Sequence, residues 1–390
     1  MRVLVSTTAN DGHFGPLRSF ERALASAGHE VRVAAPASYA AAVRRTGLVH
    51  LPFDDPSPEL IGPVMARLAE VSFEEANATV LRRVFAGIDA RAALPALTAA
   101  MDAWRPDVLV REPAEFGSLA AAERARVPHV QVAIGMTEMS RLMIAETVEP
   151  VTELAGLVGL PDGSLGEALA AESILTSVPA SLDRAGDDGF AESSVAFRYR
   201  DDASAESSAP LPSWGDPELP LVYVTFGSVI GSLPTFARVF REALDGLADL
   251  PVRVLMTVGR RVDVDALGRP PANARVQGWW PQSEVLRHAA VLLGHGGFGT
   301  TLGAIAAGVP QVVAPIFTSD QVINARHVAA AGAGRAVTPG PDVVVRACAE
   351  VLPVLADPGH RARSGALAAE IAGLPDAAAA TAVVRQIAAG

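Results

Sequence analysis

Two groups of residues in this 390-residue chain have the types and spacing that chemistry needs. The first is Gly294-His295-Gly296-Gly297-Phe298-Gly299-Thr300-Thr301, which follows the apolar run Ala289 to Leu293 and opens a helical pattern, Leu302 to Ala307, ended by Gly308. A glycine turn between a strand and a helix start exposes backbone N–H groups at the positive end of the helix dipole, where anions bind, phosphates above all. His295 and Thr300 add side-chain donors to it. The second is His13, in the segment after the first strand, with Glu112 just past the run Asp107-Val108-Leu109-Val110-Arg111 and Glu115 as a rival. An imidazole with a reference pKa of about 6.5 suits general-base work, and a carboxylate on its other nitrogen orients it. Each group also has a plain reading: a tight turn for the first, a loop histidine and a solvated carboxylate for the second.

The surrounding pattern is α/β. Val3 to Val5 reads as a buried strand, Thr7 to Pro16 as a loop holding His13, and Leu17, Phe20, Leu24 and Ala27 as one face of a helix ended by Gly28. Glu30 to Ala34 completes a β-α-β unit. Asp107–Val110, a helix over Phe116–Arg126 and Val130–Ala133 continue the rhythm. From about 185 to 218 the pattern dissolves into Asp, Ala, Ser, Glu and Pro, the composition of a linker. The rhythm restarts with Leu221–Phe226, Arg253–Val258, Arg275–Gln277, Val291–Leu293 and Gln311–Ala314, and ends in an Ala-rich helix from Ala377. The expectation is two facing, doubly wound Rossmann-like domains, 1–205 and 206–375, with a C-terminal helix over 376–390 packing back on the first. Ligands then lie at the carboxyl ends of the strands, in an interdomain cleft.

Composition excludes several classes. The net charge of −11 argues against a nucleic-acid surface. All basic residues are Arg, so Schiff-base chemistry and a Walker lysine are both excluded. Cys348 stands alone and forms neither an internal disulfide nor a cysteine metal site. No His/Asp/Glu spacing marks a metal site. The N-terminal apolar run is too short for a signal peptide, and no stretch reads as long and apolar enough to span a membrane; a cytoplasmic protein is expected. His288, His327 and His360 stand alone at exposed-looking positions and receive no role.

Gly294, Gly296 and Gly299 also match the G-x-G-x-x-G dinucleotide fingerprint, with Asp320 further on, which raises a nicotinamide oxidoreductase. Against it, the fingerprint normally occupies the first β-α turn of its domain, and several strands precede this one. Asp320 also follows a Pro-containing loop, Ala314 to Ser319.

A wider set of residues carries a resemblance. His295-Gly296-Gly297, Gly299-Thr300, Gly308-Val309-Pro310, Pro315 and Asp320-Gln321 resemble the nucleotide-sugar signature of family 1 glycosyltransferases, closest to the bacterial group that glycosylates antibiotics and other natural products. Gly278-Trp279-Trp280-Pro281-Gln282 resembles that family's W-x-P-Q element, and Phe226-Gly227-Ser228 its phosphate-contacting turn. Gly12-His13 and Ala27 to Val31 are similar too, so the resemblance covers essentially the whole chain.

The resemblance implies the GT-B architecture, with the donor on the C-terminal domain and the acceptor on the N-terminal one. It implies that Trp279 stacks on the nucleobase, Trp280 pairs with its edge through the backbone, and Gln282 helps hold base or sugar. His295, Gly297, Gly299, Thr300 and Ser228 would hold the pyrophosphate, and Asp320 and Gln321 the hydroxyls of the donor sugar. Members using UDP often carry a Glu in the motif helix for the ribose; here the position is Gly303, which leans toward TDP. His13 would be the base, oriented by Glu112 where the family commonly has Asp. The implied enzyme is an inverting, metal-independent transferase without cofactor, acting on a hydroxyl of a small hydrophobic natural product. Ile61–Leu97 and Met136–Leu160 are expected to line the acceptor side. The sequence leaves a homodimer open. A sugar-nucleotide epimerase and a non-catalytic donor-binding partner protein remain as rivals beside the oxidoreductase.

Overall fold

The computed structural model describes residues 1–186, 189, 195–201, 211–230 and 238–390; the side chains of Ala69, Ser228 and Val229 lie outside the described set. Two parallel sheets organise the chain. The first comprises β1 (Arg2–Ser6), β2 (Glu30–Pro36), β3 (Val49–Phe53), β4 (Val108–Arg111), β5 (His129–Val132), β6 (Ile174–Thr176) and β7 (Val195–Arg198), in the order β3-β2-β1-β4-β5-β6-β7. The second comprises β8 (Leu221–Thr225), β9 (Arg253–Thr257), β10 (Ala274–Gln277), β11 (Val291–Gly294), β12 (Gln311–Val313) and β13 (Gly334–Ala336), in the order β10-β9-β8-β11-β12-β13. In both sheets the order reverses beside the first strand, between β1 and β4 and between β8 and β11. Such a switch point is where open α/β sheets bind ligands.

Continuous apolar runs form these strands because both faces of each sheet are covered. Val3 and Val5 share one core with Phe14, Leu17, Phe20 and Leu24 of the helix Asp11–Ser26. Leu4, between them, points the other way. It joins Ala93, Leu97 and Leu119 of the helices Ala90–Trp104 and Phe116–Ala125. The second sheet repeats the scheme. Val222 and Val224 face Phe240 and Val351, while Leu221 and Tyr223 face Val285 and Ala304.

The chain separates into two compact units: Met1–Ser177, Gly189–Ala203 and Leu374–Gly390 form one, and Val178–Asp188 with Ser204–Gly373 the other. The helix Ala377–Ala389 starts at an Asp376 cap, whose carboxylate accepts from Ala379 N at 2.8 Å. It places Ala377, Ala380 and Val384 in the core that holds Val3 and Val5.

Four sequence expectations are corrected. The loop read over Thr7–Pro16 is already helical from Asp11, because Asn10 caps the helix by accepting from Gly12 N at 2.8 Å. The stretch read as a linker contains β7, followed by a fully buried Tyr199 set edge-on against Phe20 with ring centroids 4.5 Å apart. His327 is fully buried rather than exposed, its Nδ1 donating to the Leu182 carbonyl at 2.9 Å and tying the short helix Ala180–Arg184 to the second unit. By length and composition the helical run Phe73–Trp104 would cross a membrane. Its Ala93, Leu94, Leu97 and Met101 nevertheless belong to the first unit's core. Its middle, Val80–Asp89, is π-helical, a form concentrated at functional sites.

Candidate functional site

At the switch point of the second sheet, β11 ends at Gly294 and the helix Phe298–Ala306 starts from a Gly297 cap. The turn needs glycine at 296: its φ is +89°, and a Cβ there would lie 2.8 Å from the Gln321 carbonyl oxygen. Asn324 Nδ2 donates to the Gly296 carbonyl at 2.7 Å and fixes the turn from beneath. The first helical hydrogen bond near this end runs from Thr301 N to the Gly297 carbonyl at 2.9 Å. The N–H groups of Phe298, Gly299 and Thr300 therefore lie outside the helix's own bonding, an arrangement able to hold an anion. The Thr300 hydroxyl accepts from Gln282 Nε2 at 3.1 Å, which joins the W-x-P-Q element to the glycine turn.

His295 lies within this turn, 8% exposed, across from Gly227 at the end of β8. Cβ atoms on Gly227 and Gly297 would fall 2.8 and 2.4 Å from its ring, so both neighbours must be glycine for the imidazole to fit. Burial pushes its pKa down to about 4, against a weaker opposite pull from the Thr225 carbonyl. The ring is neutral at pH 7, and its Nδ1 is buried without a hydrogen-bond partner. Its single N–H is turned toward the Thr225 carbonyl, and the ring brings no positive charge to the turn.

The other residues that the resemblance assigns to the donor follow β8, β10 and β12 of the same sheet. Trp279 is 51% exposed after β10, whereas Trp280 is partly buried and donates from Nε1 to Glu284 at 2.9 Å. Asp320 opens the helix Ser319–Ala330. Gln321 is buried, and its Oε1 accepts from the amides of Ile316 and Phe317 at 2.8 and 3.2 Å. Its amide N–H₂ is the part of the side chain not engaged by these two bonds. Ser228 sits in the helical turn Gly227–Ile230, its side chain outside the described residues.

At the switch point of the first sheet, His13 Nδ1 lies 3.2 Å from Glu112 Oε2 and 3.0 Å from the Thr8 hydroxyl. Glu112 is fully buried. Burial alone would raise its pKa, but His13 and the amides of Ala114 and Thr8, at 2.6 and 3.1 Å, outweigh burial and hold it below the usual carboxylate range. An ionised Glu112 fixes the tautomer of His13 with the proton on Nδ1 and the lone pair on Nε2. The rival Glu115 is engaged elsewhere. It caps the helix Phe116–Ala125 by accepting from Ser118 N, and it takes the Ser6 hydroxyl at 2.7 Å.

Comparison with known proteins agrees with this geometry over the whole chain. Residues 22–191 match the N-terminal domain, and residues 241–389 the C-terminal domain, of the erythromycin biosynthesis protein CIII-like family. The L-demethylnoviosyl transferase of Streptomyces niveus is 31% identical over 383 residues, covering 96% of this chain and 95% of that protein. The TDP-daunosamine transferase DnrS of Streptomyces peucetius is 27% identical, covering 96% and 94%. The crystal structure of the glycosyltransferase SnogD from Streptomyces nogalater superposes with a TM-score of 0.73 at 25% identity, over 100% of this chain and 99% of that one. The chain is a family 1 glycosyltransferase of the bacterial natural-product group.

This glycosyltransferase has the GT-B fold and depends on a nucleotide sugar. Its glycine turn is not a nicotinamide fingerprint: it follows β11, the fourth strand of its sheet, rather than β8, the first. Several residues around the glycosyltransferase site escaped sequence reasoning. Thr8 reaches both members of the His13–Glu112 pair, and its only signal was a place two residues past a strand end. Asp89 closes the π-helix with a buried, unpartnered Oδ1, and burial together with Glu115 and Glu112 pushes its pKa up to about 7. From the same element Phe85 packs on the His13 ring at 5.5 Å. Asn324 carries no local pattern at all.

Proposed function

We propose that the enzyme is an inverting transferase that takes its sugar from a TDP donor in preference to UDP and places it on a hydroxyl of a small hydrophobic natural product, with His13 as base and no metal. The observation that carries this reading is the pairing of His13 Nδ1 with the fully buried Glu112 at 3.2 Å. It leaves Nε2 as the basic nitrogen. A non-catalytic donor-binding protein has no need of that pairing.

In the proposed reaction Nε2 takes the acceptor's hydroxyl proton as the oxygen attacks the anomeric carbon. The bond from that carbon to the diphosphate oxygen breaks on the opposite face, through an oxocarbenium-like transition state. Glu112 offsets the charge gained by His13. TDP leaves toward the N–H groups of Phe298, Gly299 and Thr300, with the Thr300 hydroxyl and Ser228 as further donors and the uncharged His295 ring closing the turn beside them. Trp279 stacks on thymine, Trp280 meets its edge through the backbone, and Gln282 helps hold base or sugar. Asp320 and the amide N–H₂ of Gln321 take the sugar hydroxyls.

Gly303 supports TDP over UDP. A Cβ at this position would sit 3.5 Å from Leu286 Cδ1 and 3.6 Å from Gln282 Oε1, so Gln282 already flanks the place of a ribose-binding carboxylate. The name of the TDP-daunosamine relative points the same way. A thermal-shift panel of TDP, UDP, GDP and NAD tests the reading. TDP is expected to raise the melting temperature most. Stabilisation by NAD alone would sink the reading, and a larger effect of UDP would sink the TDP preference.

A further inference from the structure

Arg260 follows β9 by three residues and Trp279 follows β10 by two, so neighbouring strand ends bring them together. The guanidinium carbon of Arg260 stands 3.9 Å from the centroid of the Trp279 ring. Arg260 is exposed and, among the described residues, makes no hydrogen bond or ion pair.

Arginine over tryptophan recurs in this chain, with Arg32 on Trp104 and Arg253 on Trp214. Those two rings are partly buried and packed against apolar cores. Trp279, by contrast, is 51% exposed. With Arg260 across one face, half of the residue's surface is still exposed, which leaves the ring room for a second partner. A cation on one face of an indole leaves the other available to a flat π-system such as a nucleobase.

We infer that Arg260 is a positioning residue for the donor nucleobase: it backs the Trp279 ring and holds it in the orientation that stacks on the base. This rests on the nucleotide-sugar reading of the second unit. Arg260 acts through Trp279 and touches neither the phosphates nor the reacting atoms. Its contribution therefore belongs to nucleoside binding and vanishes when the indole is absent.

Calorimetric titration of the full-length protein with TDP, UDP and inorganic pyrophosphate separates the possibilities. Arg260→Ala is expected to weaken the better-bound nucleoside diphosphate by about five-fold, the scale of an exposed cation–π contact. Pyrophosphate affinity is expected to stay as in wild type, and Arg260→Lys to recover part of the loss. In a Trp279→Ala background, Arg260→Ala is expected to cost nothing further. Unchanged nucleotide affinity in Arg260→Ala overturns the inference. So does an equal loss for pyrophosphate, which would make Arg260 a phosphate ligand, or an undiminished loss in the Trp279→Ala background. A wild-type protein that binds no nucleoside diphosphate would instead strike the donor reading itself.

Discussion

His13 and His295 both stand at the switch point of a parallel sheet, one in each unit, and their surroundings make them opposites. Behind His13 is a buried, ionised Glu112 that favours the protonated ring. Around His295 are two glycines and a strand end, with no carboxylate among the causes of its shift and a pKa pushed down to about 4. The positions also interchange. In the first sheet the histidine follows β1 and the carboxylate follows β4; in the second the glycine follows β8 and the histidine follows β11. The same side chain at the same kind of strand end is held against an ionised carboxylate in one unit and kept uncharged by burial in the other. What lies behind the ring decides which.

The sharpest way to break this contrast is His13→Ala. Transfer to any acceptor that the wild-type enzyme uses is expected to fall by about 10²–10⁴-fold, with TDP affinity unchanged. Equal rates in variant and wild type would remove the base assignment. Glu112→Gln keeps the shape but loses the charge that fixes the tautomer, and the expected loss in kcat is about 10²–10⁴-fold. A variant as fast as wild type would leave His13 without need of its carboxylate.

On the other side of the contrast stands acid stability. The folded pKa of His295 lies below its unfolded value, so between about pH 6.5 and pH 4 the unfolded chain binds the proton and the folded chain does not. Stability contributed by the neutral ring is present above that window and is lost as pH falls through it, by on the order of 3 kcal/mol. Urea unfolding at pH 7 and pH 4.5 should show a steeper acid loss for wild type than for His295→Gln; equal slopes would mean that the ring is not held neutral. The smallest effect is expected at Glu115→Ala. Loss of the helix cap should cost about 1 kcal/mol in thermal unfolding while kcat is kept. A fall in kcat comparable to that of Glu112→Gln would return Glu115 to the proton chemistry.

The sequence made these two histidines visible for different reasons. His295 stood in a glycine pattern whose strand, turn and helix are contiguous, so local order announced the site. His13 and Glu112 are far apart in sequence and meet only because β1 pairs with β4, with Val5 beside Val110. The resemblance supplied that pairing; periodicity alone did not. Thr8, Asp89 and Asn324 stayed invisible because their roles depend on what lies across the fold, which residue type does not announce. Glu112 and Glu115 were indistinguishable as letters. Backbone geometry sends one to the imidazole and the other to the amide of Ser118. The burial of His327 was hidden in the same way, since its carbonyl partner belongs to a distant segment.

The helix Ala377–Ala389 has a consequence for synthesis. Its Ala380 and Val384 complete the core that Val3, Val5, Phe20 and Leu24 begin. A chain growing on the ribosome makes β1 to β7 and the helix Asp11–Ser26 early, yet the part of that core that Ala380 and Val384 cover stays open until all of the second unit has been translated. The first unit is started first and closed last, so its nascent form exposes sticky surface for most of elongation. A fragment ending near residue 200 is expected to lack that cover, and an exchange of units between related enzymes is expected to require the final helix to travel with the first.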